Sequence, residues 1–280
     1  MKKSIVVLTG IIILINSFTS FCQDKWSDIV KKGEGTLGII YYQQPGLIQK
    51  DKAGELSGLC VGILNDFVDF VDKKYGKKVT IQYITEEPSF RLFIDRIKTT
   101  PLVIGVGNIT ITPEREKFIR FTKPFLTNPV VLLSHKNAPD ITALSQMPEK
   151  FKTYTALVVE KSTHEVYLQN IKNNYYPDLS IKKVTSGLAL MDEMVKNPKT
   201  FGVIDLTEYI YAVRNKLPLK RHAVKISDKN EELGFAMQLN NDWQIPWSEF
   251  LTSEYKQSVK YRKHIVNNLG SSFLGLVEMP

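Results

Sequence analysis

Apolar runs and amphipathic stretches alternate along most of the chain. Residues 37–42 form a continuous apolar run that reads as a strand, and Gln43-Gln44-Pro45-Gly46 ends it with loop-forming residues. Ile63, Phe67, Phe70 and Val71 then fall at i, i+4, i+7 and i+8, one face of a helix, and Gly76 is placed to stop it. Residues 79–84 predict a second strand. Ser89 can cap the next helix, whose Phe90, Phe93, Ile94 and Ile97 share a face. Residues 102–106 predict a third strand. Thr112-Pro113-Glu114-Arg115 reads as a helix start with Thr at the cap and Pro in the first helical position.

A second region opens with an apolar strand near 130–135 and continues with another at 153–159. Ser162-Thr163-His164-Glu165 is a capping-box pattern. A short strand at 181–184, a helix with Leu188, Met191 and Val195 on one face, and a strand at 201–204 follow. Asp205-Leu206-Thr207-Glu208 is a second capping pattern, residues 217–226 and 232–239 complete the strand content, and the tail is helical. Strands alternating with helices predict an α/β fold in which helices cover mainly parallel sheets. Two such blocks are expected, at about 24–130 and 135–230, with helices after residue 240.

The first 22 residues have a different character. Lys2 and Lys3 precede an apolar run over 5–15, and a polar stretch with small residues follows at 16–20. That is the order of a secretory signal peptide, and the run is short of the ~20 apolar residues that span a bilayer. Cleavage after Cys22 is expected, giving a periplasmic or secreted chain; the rival is a lipoprotein acylated on Cys22. Removing Lys2 and Lys3 with the leader lowers the formal charge of the 280-residue chain from +8 to +6. Cys60 is then the one cysteine left, so no internal disulfide is expected.

Composition narrows the function classes. Apolar residues make up 43% and charged residues 24%, an ordinary globular balance. The basic excess is spread along the chain, and no basic run interleaves with aromatics, so nucleic acid is not an expected partner. The four histidines do not pair at metal-ligand spacing and no CxxC occurs, so neither a metal nor a redox cofactor is expected. There is no GxSxG elbow and no P-loop. Gly105-Val106-Gly107 lacks the third glycine of a dinucleotide fingerprint and reads as close backbone packing.

Residues 105–125 read GVGNITITPEREKFIRFTKPF. This segment resembles the signature of the family 3 extracellular solute-binding proteins, in which G-x-T-I-T-x-E-R follows a strand and F-(S/T)-x-P-(Y/F) comes after. Gly54-Glu55-Leu56-Ser57-Gly58 resembles the family's turn before the first helix. Residues 158–168 resemble its V-x-x-G-T step, residues 201–209 its D-A-V-I-x-D region, and Gly234-Phe235-Ala236 its return strand. The resemblance implies a two-lobed, type II periplasmic-binding-protein fold with the ligand clamped between lobes. It divides the mature chain into a first lobe over 23–130, hinge strands and a second lobe over 131–236, and a return to the first lobe over 237–280. The crossings are expected near 130–135 and 232–237.

The resemblance also implies a site. Arg115 and Thr110 would hold a ligand carboxylate, which suits the planar bidentate pairing of guanidinium with carboxylate. Thr163 would add a hydroxyl from the second lobe, and Asp205 would meet the ligand ammonium, with Glu208 as the weaker candidate. Phe90 matches an aromatic that lies over the ligand, although its helical face also fits the core. Tyr41 and Tyr42 end the first strand, and alternation sends one to the cleft and the other to the core. Asn108 stands where the family commonly has a small residue and is counted with the ligand set. Physical alternatives stand beside these roles: Thr112 can simply cap, Asp205 can cap its own helix, and His164 and Glu165 read as solvent-facing helix-start residues. The expected function is the binding component of an ABC importer that takes a small polar ligand, an amino acid, and works as a monomer with an inner-membrane permease. The alternatives are a ligand sensor for a membrane signalling partner and a dehydratase-like enzyme.

Overall fold

The computed structural model describes residues 23–277. The expected leader and Cys22 lie outside the described residues.

Among the described residues, ten strands form two five-stranded sheets and four more form two antiparallel pairs. In the first, β1 (Glu34–Tyr41) lies parallel to β4 (Lys78–Glu86) and to β5 (Val103–Val106). A small antiparallel pair, β2 (Gln49–Lys50) with β3 (Leu56–Ser57), stands beyond β1. The sheet is completed by β6 (Arg120–Phe121) and the late strand β14 (Ala236–Met237), giving the order β4-β1-β5-β14-β6. The second sheet has the order β10 (Ser180–Val184), β9 (Thr155–Val159), β11 (Thr200–Asp205), β8 (Val130–His135), β12 (Leu219–Arg221). There β9, β10 and β11 are parallel. Both β8 and β12 are antiparallel additions. This is the two-lobed α/β architecture expected from the sequence.

The chain leaves the first sheet through β7 (Leu126–Asn128) and returns through β13 (Glu231–Leu233), which pair antiparallel. The first crossing therefore lies a few residues before the expected 130–135 segment. That segment is β8, with Val131 through His135 all buried, and so belongs to the second sheet. The apolar stretch 232–239 is likewise divided, its first part crossing and its second part joining the first sheet.

Strand alternation divides the packing. Leu37, Ile39 and Tyr41 face one core with Phe67, Trp243 and Trp247, while Ile40 and Tyr42 face another with Phe90 and Phe93. The C-terminal helices Gln244–Phe250 and Val259–Asn268 pack Trp247, Tyr261 and Ile265 into the first of these. The Trp247 and Phe67 rings stack at 3.8 Å and 6°. The second core also takes in Leu157 and Ile204 of the second sheet, so the two lobes are in apolar contact. Gly105 confirms the packing role of its glycine pair, since a Cβ there would run into the Ile97 side chain.

Candidate functional site

The loops after the parallel strands of both sheets converge on one cavity, as open α/β sheets require of a ligand site. Tyr42 follows β1, Asn108 and Thr110 follow β5, Thr163 and His164 follow β9, and Asp205 ends β11. A cavity of about 20 Å³ remains between them, room for on the order of one water.

The first lobe supplies Arg115. Thr112 caps the short helix Pro113–Glu116 by accepting from the Arg115 N–H, which orients the first turn toward the cavity. The Arg115 side chain is buried. Nη1 donates to the Thr110 carbonyl at 2.8 Å and Nη2 to the Lys161 carbonyl at 3.1 Å, so it already bridges the lobes. Its guanidinium lies 5.3 Å from the centre of the Phe90 ring. Burial lowers the guanidinium to about 10, while Glu231 and Asp205 act the other way. It stays a cation at neutral pH. With five N–H donors, it has capacity left for a ligand carboxylate.

Phe90 serves both faces considered for it. It lines the cavity and also packs in the core shared by the lobes, and its N–H donates to the Thr185 carbonyl at 3.1 Å. Tyr42 lines the cavity, and its hydroxyl accepts from the Gly187 N–H at 3.2 Å. Tyr41 does not reach the cavity, which corrects its place among the candidates. As the alternating neighbour it points into the first-lobe core, where its hydroxyl donates to Glu86 at 3.2 Å.

The second lobe meets these groups directly. The Thr163 and Thr110 hydroxyls are 3.5 Å apart. Asn108 Nδ2 donates to Asp205 Oδ2 at 2.6 Å. Glu208 accepts from the Asp205 N–H at 3.1 Å and is itself buried. Burial and the neighbouring Asp205 carboxylate raise Glu208 to about 7. The expected capping box at Ser162 and Glu165 is not formed. The Ser162 hydroxyl donates to the Val159 carbonyl at 2.7 Å, and Glu165 accepts from the Lys161 N–H at 2.9 Å. The reason is local: Lys161 adopts φ 65°, which turns the chain before the helix begins at His164.

Two groups in the cavity stand outside the expected ligand set. His164, expected at the solvent, is only 4% exposed because the first lobe covers the helix start. Burial alone would push its imidazole down, but Asp205, Glu231 and Glu208 override this and raise it to about 9. Glu231 arrives on β13 and accepts from the Thr110 hydroxyl. The only sequence signal for it is its place in a polar stretch just before the return strand.

The family model for bacterial extracellular solute-binding proteins, family 3, matches residues 39–262. The chain belongs to this family. Known folds agree with that placement. An ancestral arginine-binding protein bound to glutamine is 21% identical and superposes with a TM-score of 0.67 over 84% of this chain and 98% of its own. A putative L-cystine ABC transporter protein from Listeria monocytogenes is 13% identical, with a TM-score of 0.69 over 85% and 97% of the two chains. A putative ABC transporter binding component from Wolinella succinogenes, complexed with lysine, is 18% identical, with a TM-score of 0.66 over 87% and 99%. At these identities the likeness is one of fold. No curated protein matches the family 3 chain described here.

Proposed function

We propose that this protein is the binding component of an ABC importer and that it closes on a small polar amino acid. The observation that carries the reading is the pairing of opposite charges across one cavity. Arg115 enters from the first lobe as a buried cation with donors to spare. Asp205 enters from the second lobe as the N-cap of helix Leu206–Arg214, and its Oδ1 makes no hydrogen bond but lies 3.5 Å from His164 Nε2, which a ligand ammonium would replace as its cationic neighbour. These are the two poles that a zwitterion needs. Thr110, Thr163 and Asn108 would complete the polar lining, and Tyr42 and Phe90 the apolar wall. The void of about 20 Å³ is too small for an amino acid, so the ligand enters when the lobes separate about the β7–β13 pair and is enclosed when they close. Ligand then stabilises the closed form by its differential affinity for the two states. No bond is made or broken.

The neighbours bind glutamine, arginine and lysine by their descriptions, which supports an amino acid as the ligand class. We place the protein in the periplasm or outside the cell, in keeping with its extracellular family, as a monomer that docks on an inner-membrane permease. No helix among the described residues is long and apolar enough to cross a membrane.

Thermal-shift screening of the mature chain against amino acids tests the reading. A binding amino acid at a hundred times its Kd stabilises by ~2.7 kcal/mol, an upward shift that Arg115→Ala should abolish. If no α-amino acid shifts the melting temperature, the ligand class is wrong. Chemical turnover of a bound compound would instead favour an enzyme.

A further inference from the structure

The amino-acid reading leaves His164 and Glu231 without a task. Both are buried and both turn into the cavity, His164 from the first turn of helix His164–Asn174 and Glu231 from β13. With Asp205 they bring three metal-ligand-type atoms within 4.8 Å of one another. Asp205 Oδ1 and Glu231 Oε1 are buried without a hydrogen-bond partner, and the His164 nitrogen that approaches Asp205 Oδ1 is Nε2. Converging buried polar atoms are costly unless something binds them.

The other oxygen of each carboxylate is already held. Asn108 donates to Asp205 Oδ2, and the Thr110 hydroxyl donates to Glu231 Oε2. Outer partners of this kind fix the orientation of metal-binding carboxylates. His164 Nε2 lies 3.5 Å from Asp205 Oδ1. That is long for an N–H···O hydrogen bond, whose usual length is ~2.9–3.0 Å. It matches the ~3.4 Å edge between two ligands of a tetrahedral ion with bonds of ~2.0–2.1 Å. The void of about 20 Å³ suits an ion with one small further ligand. Binding at His164 displaces the proton that Asp205, Glu231 and Glu208 otherwise hold on its imidazole.

We propose that His164, Asp205 and Glu231 bind a divalent first-row transition ion of the zinc type, with a fourth position open to the cleft. One imidazole nitrogen and two carboxylate oxygens suit such an ion better than calcium or magnesium, which take oxygen shells. The ligands come from the second lobe and the return crossing, and their supports Asn108 and Thr110 from the first, so a bound ion ties the lobes together. The ion and a ligand ammonium draw on the same Asp205 oxygen and are alternatives at that atom. The site does not depend on the amino-acid reading, because it is tested with metal alone.

The test is calorimetric titration of the chelator-treated mature chain with zinc chloride, with no amino acid present. One equivalent should bind, and cobalt(II) in its place should give the strong visible absorption of a tetrahedral site. His164→Gln and Glu231→Gln, checked for folding by circular dichroism, should each weaken zinc binding by at least about a hundredfold, beyond the ~10–100-fold loss from changing an outer partner. His264→Gln should leave it unchanged, since His264 pairs with Asp66 in the first lobe. Arg115→Ala should abolish amino-acid binding yet keep zinc, which separates failure of one reading from failure of the other. Absence of zinc binding by the unaltered chain, or binding that survives both substitutions in folded variants, overturns the proposal. If neither variant folds, the cobalt spectrum decides, and the weak absorption of an octahedral oxygen shell overturns it.

Discussion

Lys161 shows how much a single backbone angle contributes to this cleft. Its φ of 65° is in the left-handed region, where a residue with a Cβ is strained by ~1–2 kcal/mol. The turn faces its carbonyl to Arg115 and frees its N–H for Glu165. Glycine removes the steric strain at this position, whereas a β-branched side chain increases it. Lys161→Gly should therefore melt at or above the unaltered protein, and Lys161→Val should lose ~1–2 kcal/mol in urea denaturation. Equal stabilities for the two variants would show that the angle stores no strain. The site residues differ in how far the sequence reveals them. Asn108, Thr110 and Arg115 stand within one dense motif, so their proximity is local and legible. Glu231 meets Thr110 across 121 residues of chain, and no spacing rule reaches that far. His164 is hidden for another reason. A helix's first turn is normally wet, and only the meeting of the two lobes makes this one dry.

At the scale of the element, the second sheet carries a pH-sensitive joint. His222 follows β12 and is buried, and its Nε2 lies 2.7 Å from the Ser134 hydroxyl on β8. Its Nδ1 accepts from the Ile141 N–H at 3.4 Å. A neutral ring satisfies both contacts, and protonating Nδ1 removes the second. Burial, with Lys220 nearby, accordingly lowers the imidazole to about 4. In the unfolded chain the ring titrates near ~6.5. Between these values the unfolded state binds more protons, so the stability is present above ~6.5 and is lost as pH falls through about 4. Urea denaturation at pH 7 and pH 4.5 should show a loss on the order of 2 kcal/mol from this group, and His222→Gln should flatten that slope. An unchanged slope in the variant would assign the acid sensitivity elsewhere. Elements of this kind were legible where periodicity was strong. The helix Leu59–Tyr75 buries Ile63, Phe67 and Val71 and ends at Gly76, whose φ is 63°. Apolar runs without alternation were harder. Residues 217–226 contain only the three-residue β12, whereas the apolar run near 130–135 is the strand β8 that its pattern predicts, and only the crossing that the resemblance placed there lies elsewhere.

The whole molecule is held closed by contacts of unequal strength, and this decides which of them controls opening. Arg91 and Glu160 pair across the cleft at 3.3 Å, but their side chains are 42% and 39% exposed. Exposed pairs contribute ~0–1 kcal/mol. The Tyr42 hydroxyl accepts the Gly187 N–H at a buried position. Removing that hydroxyl strands a buried donor, which costs ~1–3 kcal/mol in the closed form alone, because water satisfies the same group when the lobes part. Tyr42→Phe should thus move the ligand-free equilibrium toward the open form by a factor of roughly 5 to 150, while Arg91→Ala should move it little. Spin labels on cysteines introduced at exposed Lys73 and Asn174, one on each lobe, would report the separation. The native Cys60 is buried and its thiol is pushed far up by burial, so it will not compete for label. The expected result is a longer-distance population in Tyr42→Phe that is absent from Arg91→Ala and reduced by a bound ligand. Matching distance distributions in the two variants would mean that the buried hydroxyl does not latch the lobes, and that closure rests on the other bridges, Arg115 to the Lys161 carbonyl and Asn108 to Asp205, and on the apolar contact around Phe90 and Phe93.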